Sequence, residues 1–254
     1  MKKRMISICL TMVMAASLAA CGETESTASA DSSASADTAG VKEESTAEEA
    51  ETTAAEPSGD GTGLTIKDGV LMVGLEIGYP PMEYFDEDGS TPIGYDVDVA
   101  NAIGEYLGLE VELVDTAWDG IFAGVDTDKY DCIISCVSIT DERQQQFDMT
   151  RPYVSNHTVL IVPQDSEIDS LEALSGHSTA VQAETTSDEY MKEHGAELGV
   201  ELFEYDKVIN CFDDLKSGRT DSVFTDSVVA AYYLGDEASN YKTVWENEEL
   251  EPIG

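Results

Sequence analysis

Residues 135–143, Ser-Cys-Val-Ser-Ile-Thr-Asp-Glu-Arg, place an arginine in the first turn of a helix. An apolar run, Cys132-Ile133-Ile134, leads into them. Thr140 reads as the N-cap, and Asp141 and Glu142 fill the first turn, where anions are stabilised. Arg143 stands against the positive end of that dipole, a placement that costs about 0.3–1 kcal/mol. Two readings account for it. One is a solvated guanidinium paired with Asp141 or Glu142. The other is a planar fork that grips a carboxylate bidentately beside backbone N–H groups that also favour anions.

The elements that must position Arg143 alternate along the chain from Leu64. Apolar runs predict strands at residues 70–75, 111–114, 131–137, 159–163, 179–182, 202–205 and 222–224. Helical spacing and caps predict helices at 96–107, 118–124, 141–147, 171–174, 186–198, 211–217 and 227–234. In the first of these, Val99, Ala102, Ile103, Tyr106 and Leu107 form a stripe, and Gly108 is the stop. Strand–helix alternation predicts parallel sheets with helices on both faces, and ligands in such sheets bind beyond the carboxyl ends of the strands.

The formal charge of −39, from 52 acidic and 13 basic residues, argues against nucleic acid or anionic lipid as a partner. The N-terminus reads as a processing signal, residues 1–20. It has a basic start, Lys2-Lys3-Arg4, and a mostly apolar stretch at 5–16, shorter than the ~20 residues that span a bilayer. Leu18-Ala19-Ala20-Cys21 looks like a bacterial lipoprotein cleavage box, with Cys21 the expected lipidation (palmitate-bearing) site. Residues 22–63 are rich in Ser, Thr, Ala, Glu and Asp, and are expected to be a disordered acidic tether. Cys132 and Cys136 lie about 13 Å apart on a straight strand at ~3.3 Å per residue, too far for a disulfide, and either could meet Cys211 only if the fold brings them together. His157, His177 and His194 show no metal-ligand spacing with these cysteines, so no metal or other cofactor is expected, and all three are read as surface or hinge residues.

From Leu71 onward the chain resembles the family 3 extracellular solute-binding proteins, the polar amino acid receptors of ABC importers. The resemblance rests on Gly78-Tyr79-Pro80-Pro81-Met82-Glu83, Gly94-Tyr95-Asp96-Val97-Asp98-Val99-Ala100, Trp118-Asp119-Gly120 and Lys129-Tyr130-Asp131. It continues through residues 135–143, Arg151-Pro152-Tyr153, residues 181–190, Gly218-Arg219-Thr220-Asp221 and Asp226. It implies a periplasmic-binding-protein-like type II fold: two α/β lobes joined by a two-strand hinge, with the ligand in the cleft between them. Lobe 1 is expected at 64–155, a first crossing at 156–158 and lobe 2 at 159–241. The second crossing and a return to lobe 1 are expected within 242–254, the crossing itself near 244–250. The family continues beyond the point where this chain stops, so the sequence is expected to be a C-terminally incomplete version of the domain.

A free amino acid is a zwitterion, and burying either charge unpaired costs several kcal/mol. Arg143 is the candidate for its carboxylate, joined by the helix opening Thr185-Thr186-Ser187, which also reads as a plain capped helix. The resemblance puts Asp226 on the ammonium, although Asp226 could instead cap the helix from Ser227. Ser138 matches a hydroxyl ligand position, and Cys136 stands where the family often has glycine or a small polar residue. Tyr79 and Trp118 resemble the aromatic walls that sandwich a ligand side chain. Glu76 sits where some receptors hold a distal cation, which suggests a polar or cationic ligand. Glu184 departs from the family, which usually has glycine there, and sets a carboxylate beside the anion site. The implied function is capture of a free amino acid by a monomeric lipoprotein, anchored to the outer face of the cytoplasmic membrane, and delivery to permease subunits. The alternatives are a cyclohexadienyl dehydratase-like enzyme on the same scaffold and an extracellular amino acid sensor. No nucleophile arrangement or phosphate-binding glycine loop points to catalysis.

Overall fold

The structure, a computed structural model, describes residue 63 and residues 65–254. The expected signal, Cys21 and the tether lie outside the described residues. In chain order the elements are β1 (Val70–Leu75), β2 (Tyr84–Phe85), β3 (Pro92–Ile93), α1 (Tyr95–Leu107), β4 (Glu110–Asp115), α2 (Ile121–Asp126), β5 (Cys132–Ile133), α3 (Asp141–Gln146) and β6 (Val154–Asn156). After β6 follow β7 (Thr158–Pro163), β8 (Ser178–Gln182), α4 (Thr186–Leu198), β9 (Glu201–Tyr205), α5 (Val208–Ser217), β10 (Ser222–Asp226), α6 (Ser227–Leu234), β11 (Tyr241–Glu246) and β12 (Glu251–Ile253). Short 3₁₀ turns at Trp118–Gly120 and Glu172–Leu174 stand at the start of the helix expected at 118–124 and in place of the one expected at 171–174.

Two sheets organise these elements, and all described residues fall within one compact unit. The first has the order β4-β1-β5, all parallel, with Val70 to Leu75 aligned on Glu110 to Asp115. Its core is built from alternate residues of β1 and the inner face of α1: Leu71, Val73, Leu75, Val97 and Ala100. The second has the order β11-β7-β10-β8-β9. It departs from the all-parallel expectation, because β7 is antiparallel to both β10 and β11. The reason is connectivity: β7 enters straight from the crossing at His157 without a helical crossover and lies between β10 and β11, which run parallel to each other and are joined through α6.

Three local departures follow from tertiary contacts. The strand expected at 131–137 shortens to Cys132–Ile133. Beyond it Cys136 takes a left-handed φ of +46° and its N–H donates to Asp96 Oδ2 at 2.5 Å, which takes it off the ladder. Tyr241–Glu246, within the region expected to begin the return crossing, is a strand of the second sheet, because Trp245 packs on Phe224 at a ring separation of 5.4 Å. Glu251–Ile253 then pairs antiparallel with Val154–Asn156, and the Pro252 carbonyl accepts from the Ile139 N–H at 2.7 Å. Proline is tolerated there because only its carbonyl is used.

The turn after β1 is tied to the start of α1 by backbone bonds from Tyr95 N–H to Pro81 O (3.0 Å) and Asp96 N–H to Met82 O (2.8 Å). Gly94 permits this approach: its φ is +129°, and a Cβ there would stand 2.2 Å from the Met82 carbonyl oxygen. Gly94→Ala is expected to lower stability by at least about 2 kcal/mol, from strain plus a backbone clash that no rotamer relieves. Chemical denaturation checks this. An unchanged midpoint would mean the turn does not need glycine.

A candidate amino acid cleft between the two sheets

The carboxyl ends of β1, β5, β8 and β10 point at one cavity of about 370 Å³. β1 delivers Glu76, and the turn that follows, held by Gly78 and Tyr79 N–H bonds to Glu83 O (3.0 and 2.9 Å), delivers Tyr79. The bend after β5 presents Ser135, Cys136 and Ser138. The Thr140 hydroxyl caps α3 by accepting the Arg143 N–H at 3.1 Å, as the sequence predicts. From the second sheet, β8 ends in Gln182, the Thr185 hydroxyl caps α4 by accepting the Asp188 N–H at 3.3 Å, and β10 ends in Asp226.

All ten residues singled out from the sequence, Glu76, Tyr79, Trp118, Cys136, Ser138, Arg143, Thr185, Thr186, Ser187 and Asp226, line this cavity. Arg143 makes no ion pair within 4 Å among the described residues, so the paired-on-the-surface alternative does not apply. Its guanidinium donates from Nη1 to the Ser138 carbonyl at 2.9 Å and lies 5.1 Å from the Phe122 ring centre and 5.7 Å from that of Trp118. Such stacking suits guanidinium. Burial lowers its pKa, opposed by Glu189, Glu251, Asp226 and Glu142.

Asp226 precedes α6 yet makes no side-chain cap. Its buried carboxylate turns into the cleft and accepts from Tyr79 Oη–H at 2.6 Å and Asn156 Nδ2–H at 2.7 Å. Burial and the nearby Glu251 push its pKa up to about 6, although both hydrogen bonds and Arg143 pull the other way. Thr186 and Ser187 open α4, where N–H groups have no intrahelical partner. Several bonds cross the cleft: Tyr79 to Asp226, Gln182 Nε2–H to Glu76 Oε2 (2.7 Å), and Trp118 Nε1–H to the Glu184 carbonyl (2.9 Å).

Glu184 has φ +61°, a left-handed backbone that glycine adopts freely and other residues at roughly 1–2 kcal/mol. That accounts for a glycine preference at this position, and the same holds for Cys136. The Glu184 side chain is exposed and lines an outer groove with Phe122, Phe147 and Lys192, outside the inner cavity. Its N–H is held by Asp188 Oδ2 at 2.7 Å, which keeps the loop in shape.

Sequence reasoning missed Glu83, Ser135 and Gln182, which also line the cavity, and Asn156 behind Asp226. Glu83 and Ser135 stood inside the quoted motifs, and Gln182 stood at a strand's carboxyl end. Cys132, Cys136 and Cys211 are free thiols, and burial pushes the pKa of Cys132 up to about 11 and that of Cys211 up to about 12. His177 is exposed, whereas His157 sits at the crossing with Nδ1 3.0 Å from the Asn247 carbonyl. Among the described residues no cluster of three or more His, Cys, Asp or Glu is placed to hold a metal ion, and no helix is long and apolar enough to cross a membrane.

Residues 71–192 match the bacterial extracellular solute-binding proteins, family 3. The chain is 30% identical over 186 residues to the L-cystine-binding protein TcyA of Bacillus subtilis (strain 168), covering 72% of this chain and 67% of that one. It belongs to this family. It is also 32% identical over 164 residues to the L-cystine-binding protein TcyJ of Escherichia coli (strain K12), covering 64% of this chain and 60% of that relative's length. Among solved structures it resembles an ancestral arginine-binding protein bound to arginine, with a TM-score of 0.69, 36% identity, and coverage of 73% of this chain and 83% of that one. The two sheets and the intervening cavity are thus those of a type II periplasmic-binding-protein fold.

Proposed function

We propose that this chain captures a free amino acid between its two lobes and delivers it to the permease subunits of an ABC importer. The observation that carries this reading is the pairing across one cavity. Arg143, which has no carboxylate within 4 Å among the described residues, stands on the first lobe, and the buried carboxylate of Asp226 stands on the second. A zwitterion held there satisfies a guanidinium with its carboxylate and an aspartate with its ammonium. The hydroxyls and N–H groups of Thr185, Thr186 and Ser187 complete the anion clamp. Because the clamps come from different lobes, the ligand favours the closed arrangement, and the closed face is what a permease recognises. The relatives' names, which are those of amino acid receptors, support the same reading.

The protein acts as a monomeric receptor without cofactor or catalysis, lipidated at Cys21 and held on the outer face of the cytoplasmic membrane (its periplasmic side where there are two membranes). A thermal-shift screen against free amino acids tests the capture reading. A ligand at 100 times its Kd contributes about 2.7 kcal/mol, enough to raise the midpoint by several degrees. No shift with any amino acid, together with consumption of a prephenate-like acid, would transfer the site to the dehydratase-like alternative.

A further inference from the structure

We infer that Glu83 and Asp96 share one proton, and that the bond it makes between them holds the first lobe's wall of the cleft in its binding shape. Both side chains are fully buried, at 0% and 1% exposure. None of the ion pairs among the described residues involves either of them. Two buried carboxyls in contact and without a cation do not both ionise. Glu83 Oε1 accepts from Ser135 Oγ–H at 2.6 Å, and Asp96 Oδ2 accepts from the Cys136 N–H at 2.5 Å. That leaves Glu83 Oε2 and Asp96 Oδ1, both buried and without a donor. A single proton between these two oxygens satisfies both.

The proton belongs to Glu83. Burial and the charge of Asp96 raise Glu83 well above the usual carboxylate range, and the bond to Asp96 and the charge of Glu76 add to this. Burial raises Asp96 as well, but the Cys136 N–H, Tyr153 and Glu83 each stabilise its ionised form. The other titratable groups that face the pair, Glu76, the Cys136 thiol and the Tyr153 phenol, are all acids, so none supplies a counter-charge. The shared bond joins three segments that build the site: the turn that delivers Tyr79, the first turn of α1, and the bend after β5. Through Ser135 Oγ, which accepts the Glu76 N–H at 3.0 Å, it also fixes the backbone that presents Glu76. Asp96 holds Cys136 at φ +46°, a left-handed conformation that a residue other than glycine keeps only when its surroundings fix it. Asp96 does not border the cavity and acts through Cys136, so it is a positioning residue. The proton assignment stands apart from the capture reading, whereas its role in the site rests on that reading.

The test is a double-substitution cycle on the full chain. In Glu83→Gln the amide Nε2–H takes the place of the shared proton and donates to Asp96. In Asp96→Asn the Nδ2–H donates to Glu83. Calorimetric titration with each of the twenty standard L-amino acids in turn should show either single change weakening binding by no more than about threefold. Combining the two sets amide donors face to face, unless one turns against the Cys136 N–H or displaces the Ser135 proton. The combined variant should therefore bind at least about tenfold more weakly than the product of the single effects. The same non-additivity should appear in the unfolding midpoints, which report it even if the combined variant is unfolded during titration. The infrared spectrum near pH 8 should contain the C=O stretch of a protonated carboxyl that Glu83→Gln lacks. Additive midpoints, or no carboxyl band lost in Glu83→Gln, would overturn the shared proton. Coupling in the midpoints with none in affinity would overturn its role in the site, as would a loss above about tenfold in Glu83→Gln alone. If no amino acid binds the unaltered protein, the capture reading falls and that role with it, while the band and the midpoints still decide the proton.

Discussion

Arg143→Ala should abolish ligand-induced stabilisation while leaving the unliganded midpoint nearly where it was. Without ligand the side chain contributes one hydrogen bond to Ser138 O and a stacked contact with Phe122 and Trp118. Its removal also relieves the cost of holding a partly buried charge, so the net change is expected within about 1 kcal/mol. With ligand the balance is different. Removing one partner of a buried charged pair costs about 3–5 kcal/mol, which weakens Kd by roughly 150- to 5,000-fold. Arg143→Lys should recover part of this, because it restores the charge without the two-pronged fork. Titration of a bound amino acid into both variants checks the ordering. If alanine at this position leaves Kd within a few-fold, the ligand carboxylate is held elsewhere.

Asp226 makes the second large effect, and it is pH-dependent. Its carboxyl titrates at about 6 in the folded protein against an ordinary 3.8, because burial and Glu251 disfavour the ionised form. A ligand ammonium favours that form and draws the pKa down, so binding releases a proton below pH 6. Affinity should thus be flat above pH 6 and fall towards tenfold per unit as the pH drops through 6. The stability of the unliganded protein runs the opposite way. A folded pKa above the unfolded one makes this group's contribution most favourable below about pH 4, and it is lost as pH rises through 6, a loss of roughly 3 kcal/mol at most. Asp226→Asn should therefore bind no zwitterion, be more stable than the original near pH 7–8, and lose this group's share of the pH dependence between 4 and 6. Glu76 and Glu83 are also buried and raised, so the difference between variant and original isolates Asp226. An unchanged pH profile of binding in the variant would assign the ammonium to another group.

The trade between these two effects has a structural basis. Asp226 is buried, and Tyr79 and Asn156 hold its oxygens. The cluster of Tyr79, Met82 and Cys136 with Val159, Phe212 and Ile253 runs beneath the cleft, so the site is seated on a continuous apolar floor. Elements whose ends are fixed by nearby residues were legible in the chain. α4 and α6 match their expected spans, and the caps at Thr140 and Thr185 are the ones expected, because a hydroxyl three residues before its N–H partner is a local arrangement. The shortened β5 and the strand at Tyr241–Glu246 were not legible, since Asp96 captures one backbone and the stacking of Trp245 on Phe224 fixes the other.

Residue type and local spacing by themselves determined the strand–helix alternation and the capped helix openings, which depend on periodicity and on caps. The two lobes and ten of the cavity's lining residues followed from the family resemblance. Tertiary structure alone decided what each buried charge faces. Tyr79 reaches Asp226 across 147 positions and Gln182 reaches Glu76 across 106. Bonds between residues so far apart depend on how two sheets pack, and no local pattern in a single chain encodes that distance. For the same reason Asn156 gave no sequence signal: a buried amide becomes part of a site only when its partners arrive from the other lobe.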